Sequence, residues 1–420
     1  MEHLIINGGN KLKGEVSISG AKNAALPIVT ASLMGVGKSV LYGIPNLRDI
    51  NNLIKILRSL GAEVDLDYDQ NKLMINTDAV SRLEVPYSLA RKMRASYYAL
   101  GALLARYGEA TTTLPGGCEI GNRPIDLHLK GFRALGAEVK IEYGVVEIKA
   151  NKLTGDKIYL DYPSVGATMN IIMAATTAEG KTIIENAARE PEIIDLANYL
   201  NVMGAKIKGA GTDIIRITGV EELTGSEYTI IPDRIESGTY MMAAAITGSE
   251  LYIDNVLVEH IKPLIAKLKE MGVKIEEDVS GVKVISNGQL NSVDVKTLPY
   301  PGFPTDMQSQ FMALLTQAEG NSVVVETVFE NRFGHADELR RMGADIRIDG
   351  RTAMIKKANL TGAKVKATDL RAGAALILAA LAAEGKTKIT DIYHIERGYE
   401  NVTEKLKGIG VNIKRVSTSE

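Results

Sequence analysis

The sequence predicts an α/β protein built from one unit repeated six times. Three observations carry this. The string LRSLGAEV (57–64) recurs as FRALGAEV (132–139), LNVMGAKI (200–207), LKEMGVKI (268–275), LRRMGADI (339–346) and LKGIGVNI (406–413). Between these, an Ala-rich apolar stretch ends at Gly37, Gly108, Gly180, Gly248, Gly320 and Gly385, and a β-branched run follows each. Both landmarks keep a period of about 70 residues, and 420 residues make six such periods.

Each element of the unit has its own signal. The Ala-rich stretches, such as AGAALILAALAAEG (372–385), are apolar on most faces, which predicts buried helices. Their small residues let helix backbones approach closely. The glycine that follows predicts a left-handed residue, from which the chain turns into a strand. A second helix, apolar on one side only, then leads into the LGAEV-type glycine and another strand. The unit therefore reads as two helices with three or four short strands. Six units divide into three plus three, and a half of about 210 residues suits a domain. IPDRIESGTY (231–240) lies at the crossing. A solenoid is the alternative, but solenoid units usually run ~20–50 residues.

Composition narrows the function. Hydrophobic residues are 45% and charged residues 24%, which excludes a disordered or membrane-embedded chain. Aromatics are 5% and Trp is absent, so the core must be mainly Ala, Leu, Ile, Val and Met. A net charge of −2 offers no basic field for nucleic acid. One cysteine allows no internal disulfide, and no signal or membrane-spanning pattern is present; a cytoplasmic protein is expected. His3, His128, His260, His335 and His394 have no metal-ligand spacing, and no Gly-x-Gly-x-x-Gly follows a strand. Neither metal nor cofactor is expected. GVGKS (35–39) is not a phosphate loop, because the required first glycine is Ser32.

The densest chemical motif is LPGGCEIGNRPIDLHL (114–129). It puts the only thiol, Cys118, in a Gly-rich polar loop five residues before Arg123, a setting that favours thiolate. A buried inert cysteine is the plain alternative. Six cations abut small or apolar residues at unit boundaries: Lys22, Arg94, Arg123, Arg332, Arg371 and Arg397. Guanidinium forks suit a small ligand with several anionic groups. Asp306 in YPGFPTDMQSQ and Asp369 in TDLRAG each precede a helix, where an ordinary helix cap is the plain reading.

These segments, with SGAKNAALP, MRASYYALG, YPSVGATMNII, NAAREPEIIDLA, PDRIESGTY, ENRF and HIERGYEN, resemble the enolpyruvyl transferase family. Within it they are similar to the UDP-N-acetylglucosamine 1-carboxyvinyltransferases over essentially the whole chain. The resemblance implies an inside-out α/β barrel fold: two pseudo-threefold domains of βαβαββ units, helices inside and sheets outside. It assigns 1–21 with 231–420 to one domain and 22–230 to the other, with the active site in the cleft between them.

The implied reaction moves the enolpyruvyl group of phosphoenolpyruvate to the 3-hydroxyl of UDP-N-acetylglucosamine and releases phosphate, by addition and then elimination. It serves peptidoglycan precursor synthesis. By resemblance Lys22, Arg123 and Arg397 bind phosphoenolpyruvate, supported by Arg94, Arg332 and Arg371. Cys118 matches a general acid and the thiol that fosfomycin alkylates, and its Gly-rich loop a lid. Asp306 matches the base, and Asp369 assists the proton transfers. Asn23 and Val328 contact the sugar nucleotide. Its uridine end rests on Arg123, Pro124, Ile125, Asp126 and Leu127, and its diphosphate on Ser164, Val165 and Gly166. Glu190 and Glu192 match further acids. The competing readings are a 5-enolpyruvylshikimate-3-phosphate synthase, disfavoured by the Cys loop with Arg-Pro-Ile-Asp, and a non-catalytic sugar-nucleotide sensor.

Overall fold

In the computed structural model, residues 2–114, 121 and 124–417 are described. All twelve landmark glycines have positive φ, between 60° and 113°. The repeat is therefore a repeat of one backbone device. The helices do not all run up to the second set of glycines, however. Tyr98–Tyr107 ends directly at Gly108, but Lys22–Ala31 gives way to a tight turn and a two-residue strand before Gly37.

Six sheets share one wiring among the described residues. In one, Val295–Lys296 pairs parallel with Asn321–Val325. The latter pairs antiparallel with Thr352–Lys356, which forms a hairpin with Asp345–Asp349. The sheet of Glu109–Thr113 has three strands, and the bridge between Glu84 and Thr111 marks the place of its fourth. The strand after the helix alternates buried and outward residues in the same way in Lys38–Tyr42, Lys181–Glu185, Glu250–Asp254, Asn321–Val325 and Lys386–Thr390. That alternation is the mark of a sheet with one face on the core.

The chain divides into two compact units. One joins Met1–Ser19 to Pro232–Glu420, and the other is drawn from the stretch between Gly20 and Ile231. Each has its own apolar core. The divisions fall after Ser19 and after Ile231. Hydrogen bonds explain this. Ala21 N–H donates to Ile231 O within one unit, whereas Asp233 N–H donates to Ser19 O within the other. The Asp233 carboxylate accepts from Ile235 N–H and Glu236 N–H, so the helix Arg234–Ile246 starts at once.

The N-terminal segment belongs to the unit that holds the C-terminal half. Glu2–Asn7 lies between Lys386–Thr390 and Asn412–Ser417, antiparallel to both, and Glu15–Ser17 edges the sheet of Glu250–Asp254. At the centre of this unit Arg234–Ile246, Gln308–Leu315 and Leu370–Ala382 pack on one another. The first two are buried at every residue. In the other unit Tyr98–Tyr107 packs on both Lys22–Ala31 and Val165–Ala175. Close approach there demands glycine: a methyl on Gly101 would lie 2.6 Å from the backbone oxygen of Asn170. The largest fully buried side chains include only Tyr199, Phe132 and Phe311 among aromatics.

Candidate active site

The unit holding the C-terminal half builds a carboxylate clamped by two arginines. Asp306 sits in the turn Thr305–Met307 that leads into Gln308–Leu315. Its side chain makes no cap hydrogen bond there, so the helix-cap expectation fails for this residue. Instead Arg332 reaches Oδ1 at 2.8 Å and Arg371 reaches Oδ2 at 3.0 Å. Both guanidinium groups are buried. Burial alone would raise the Asp306 pKa. The charges of Arg371 and Arg332 and their hydrogen bonds reverse this and hold it well below the ordinary carboxylate range.

A polar chain supports the clamp. The Tyr399 hydroxyl lies 2.8 Å from Thr239 Oγ1, accepts from Gln310 Nε2 at 3.2 Å, and meets Arg371 Nη1 at 3.4 Å. Gln310 Nε2 also donates to the Asp306 carbonyl at 3.0 Å. Arg371 opens the helix Leu370–Ala382, and Asp369 caps it, accepting from Arg371 N–H at 2.8 Å and Ala372 N–H at 3.0 Å. The plain cap reading thus holds for Asp369. Val328 is half-buried in the loop before Arg332, and Arg397 is half-buried at the end of the turn Ile392–Arg397.

The other unit carries the remaining described candidates on helix starts. Lys22 and Asn23 open Lys22–Ala31. Lys22 Nζ is 3.8 Å from Asp49 Oδ2, and both are buried. Asp49 lies in the first turn of Arg48–Leu60, where it reads in sequence as an ordinary helix-start acid. Ile125 caps Asp126–Ala134; it is buried, while Pro124 and Asp126 are exposed and Leu127 is half-buried. Ser164 caps Val165–Ala175 by accepting from Ala167 N–H, which leaves the amides of Val165 and Gly166 at a positive helix end. Glu190 precedes Pro191–Val202, and Glu192 is buried in its first turn.

Two residues absent from the sequence expectations complete this end. A methyl on Gly166 would meet the Tyr97 hydroxyl at 2.8 Å and the His128 ring at 3.0 Å. Arg94 lies over the Tyr97 ring at 5.7 Å. Burial and the Arg94 charge push the His128 pKa down to about 3, so the ring is neutral. Asn170 Oδ1 accepts from Gly101 N–H, which fixes its amide; its Nδ2 then donates to His128 Nδ1 at 3.0 Å. The His128 proton is therefore on Nε2, beside Gly166. His128 stands next to the Arg-Pro-Ile-Asp run, and that adjacency was its only sequence signal. Cys118 and Arg123 lie outside the described residues.

Comparison with known proteins agrees with this architecture. The EPSP synthase family (3-phosphoshikimate 1-carboxyvinyltransferase) matches residues 6–406. This chain belongs to the enolpyruvyl transferase family. A UDP-N-acetylglucosamine 1-carboxyvinyltransferase of Halothermothrix orenii is 65% identical over 416 residues, covering 99% of this chain and all of the relative. One of Clostridium tetani is 55% identical over 417 residues, with 99% and 100% covered. Among solved structures, an enolpyruvyl transferase of Streptomyces tendae superposes with a TM-score of 0.90 at 27% identity over 100% of this chain and 99% of that one. An EPSP synthase of Acinetobacter baumannii, at 21% identity and TM-score 0.77 over 99% and 100%, shares the fold.

Proposed function

We propose that this enolpyruvyl transferase moves the enolpyruvyl group of phosphoenolpyruvate to the 3-hydroxyl of UDP-N-acetylglucosamine, releasing phosphate, in peptidoglycan precursor synthesis. The end-to-end likeness to relatives of that name, at 55–65% identity, carries the reading. The likeness to EPSP synthases at 20–21% identity bears on fold alone. The same reading makes each unit an inside-out barrel and the enzyme cytoplasmic.

The chemistry needs an acid for the alkene and a base for the hydroxyl. In our reading the Cys118 thiol gives its proton to the methylene carbon. Positive charge then develops at the adjacent carbon, and the sugar hydroxyl attacks there while its proton passes to Asp306. A carboxylate with a depressed pKa is ionised at neutral pH and ready, but it is a weak base. It therefore accepts the proton only as the new C–O bond forms, when the hydroxyl has become acidic. Elimination restores the alkene: the methyl carbon returns a proton to the Cys118 thiolate, and phosphate leaves with the C–O electrons and takes the proton held on Asp306. Lys22, Arg123, Arg397 and Arg94 balance the phosphate and carboxylate charges. Arg332 and Arg371 do so less than the sequence implies, since Asp306 already takes up much of their charge. Ser164, Val165 and Gly166 receive the diphosphate. Asn23 and Val328 position the sugar, and Pro124, Ile125, Asp126 and Leu127 the uridine.

The test is phosphate release from phosphoenolpyruvate with UDP-N-acetylglucosamine against shikimate 3-phosphate. Release is expected with the first and not with the second; no release with the first overturns the reading.

A further inference from the structure

Glu326 follows the strand Asn321–Val325 and is 1% exposed. A carboxylate so buried is tolerated only where its oxygens are hydrogen-bonded. Four donors meet it. Oε1 accepts from Thr297 Oγ1 at 3.0 Å, Val328 N–H at 2.8 Å and Phe329 N–H at 3.2 Å. Oε2 accepts from Thr305 Oγ1 at 2.9 Å. None of these donors is a lysine or arginine, so the carboxylate is spent on hydroxyls and amides.

The donors come from three segments, and two of them carry the site. Thr305 is the immediate neighbour of Asp306 in the turn Thr305–Met307. Val328 and Phe329 open the loop to Arg332, whose guanidinium holds Asp306 Oδ1 and lies 5.2 Å over the Phe329 ring. One buried carboxylate thus ties the backbone beside Asp306 to the loop that supplies the cation on Asp306. Charge-assisted hydrogen bonds are roughly twice as strong as neutral ones, so this is a stiff link.

We propose that Glu326 is a positioning residue for the reaction, setting the Asp306–Arg332 pair and the Val328 backbone in register through Thr305, Val328 and Phe329. The inference rests on the reading of Asp306 as proton acceptor. A proton acceptor displaced by about 1 Å loses on the order of a hundredfold in rate, so the register has kinetic weight.

The test compares two near-isosteric variants. Thr305→Val removes the bond beside Asp306. Thr297→Val removes a bond to the same carboxylate from a segment with no site residue, together with the bond that Thr297 Oγ1 accepts from Thr327 N–H at 2.9 Å. Both are expected to lower Tm slightly. Only Thr305→Val is expected to lower kcat, by about tenfold or more, with KM for phosphoenolpyruvate unchanged. Glu326→Gln can still accept at one end and donate to Thr305 at the other. It is expected to keep kcat within about threefold of the parent, while Glu326→Ala loses about a hundredfold per folded molecule. Equal kcat for Thr305→Val and Thr297→Val, or Thr305→Val within twofold of the parent, overturns the proposal. Asp306→Asn is assayed alongside. Full activity there overturns the proton-acceptor reading and the inference with it. A dead Asp306→Asn beside a normal Thr305→Val overturns the inference alone.

Discussion

Two guanidinium groups on one carboxylate make Asp306 both a chemical and a structural residue. Asp306→Asn is expected to lower turnover by roughly 10²–10⁴-fold while acceptor binding persists, measured by steady-state phosphate release and by titration with UDP-N-acetylglucosamine. It also leaves two buried cations without their counter-ion, a loss of about 3–5 kcal/mol. The pH dependence has a definite sign. Because the folded pKa is depressed, the stability Asp306 contributes is present above about pH 4 and is lost as pH falls below it. The stability gap between parent and Asp306→Asn should therefore shrink on acidification, as read by denaturant titration; a gap that widens contradicts the clamp. Gly166 is a second residue-scale case. Gly166→Ala drives a methyl into Tyr97 and His128 and is expected to raise KM for UDP-N-acetylglucosamine about tenfold, with KM for phosphoenolpyruvate unchanged. The types of these residues were legible in sequence, but their partners were not. Arg332 and Arg371 stand 26 and 65 residues from Asp306, and only the fold brings them to one carboxylate. Glu326 was invisible for the same reason, as a single acid at the end of an apolar strand.

At the scale of the helix, caps and close contacts decide the outcome. Asp369 holds two amides of Leu370–Ala382 and so sets where Arg371 leaves the backbone. Asp369→Ala is expected to cost about 1 kcal/mol in thermal unfolding. Asp369→Asn keeps the cap and should keep Tm; a fall in kcat in that variant alone would assign Asp369 a share in proton transfer, and an unchanged kcat would confine it to capping. Gly101→Ala is expected to cost about 1–3 kcal/mol, because the helices Tyr98–Tyr107 and Val165–Ala175 leave no room for a methyl at Asn170. The elements were the most legible level. Positive φ restricts those positions to glycine, so the repeat could be read off the glycines directly. Helix ends were less legible. After Ala31 the apolar run continues through Leu33 and Met34 in another conformation, and hydropathy does not distinguish a tight turn from one more helical turn.

At the scale of the chain, two separate cores predict two thermal transitions. Each can be moved alone. Gly101→Ala should lower one. Lys405→Met should lower the other, since Lys405 Nζ pairs with buried Glu236 at 2.7 Å and also donates to Ser19 Oγ at the root of a crossing. Calorimetry in which both variants shift a single shared transition would contradict independent cores. The sixfold repeat was legible in the glycines, whereas the residues at which the chain passes from one unit to the other were not, because backbone bonds such as Ala21 to Ile231 leave no mark in composition. The strand Glu2–Asn7 carries a consequence for synthesis. It is inserted between Lys386–Thr390 and Asn412–Ser417, so this strand has no native neighbours until the segments some 380 residues further on have been made. The unit between Gly20 and Ile231 can finish while translation continues, nested inside an unfinished one. A nascent chain therefore carries this β-strand unpaired for most of its birth, and it is there that a holding chaperone has the most to protect.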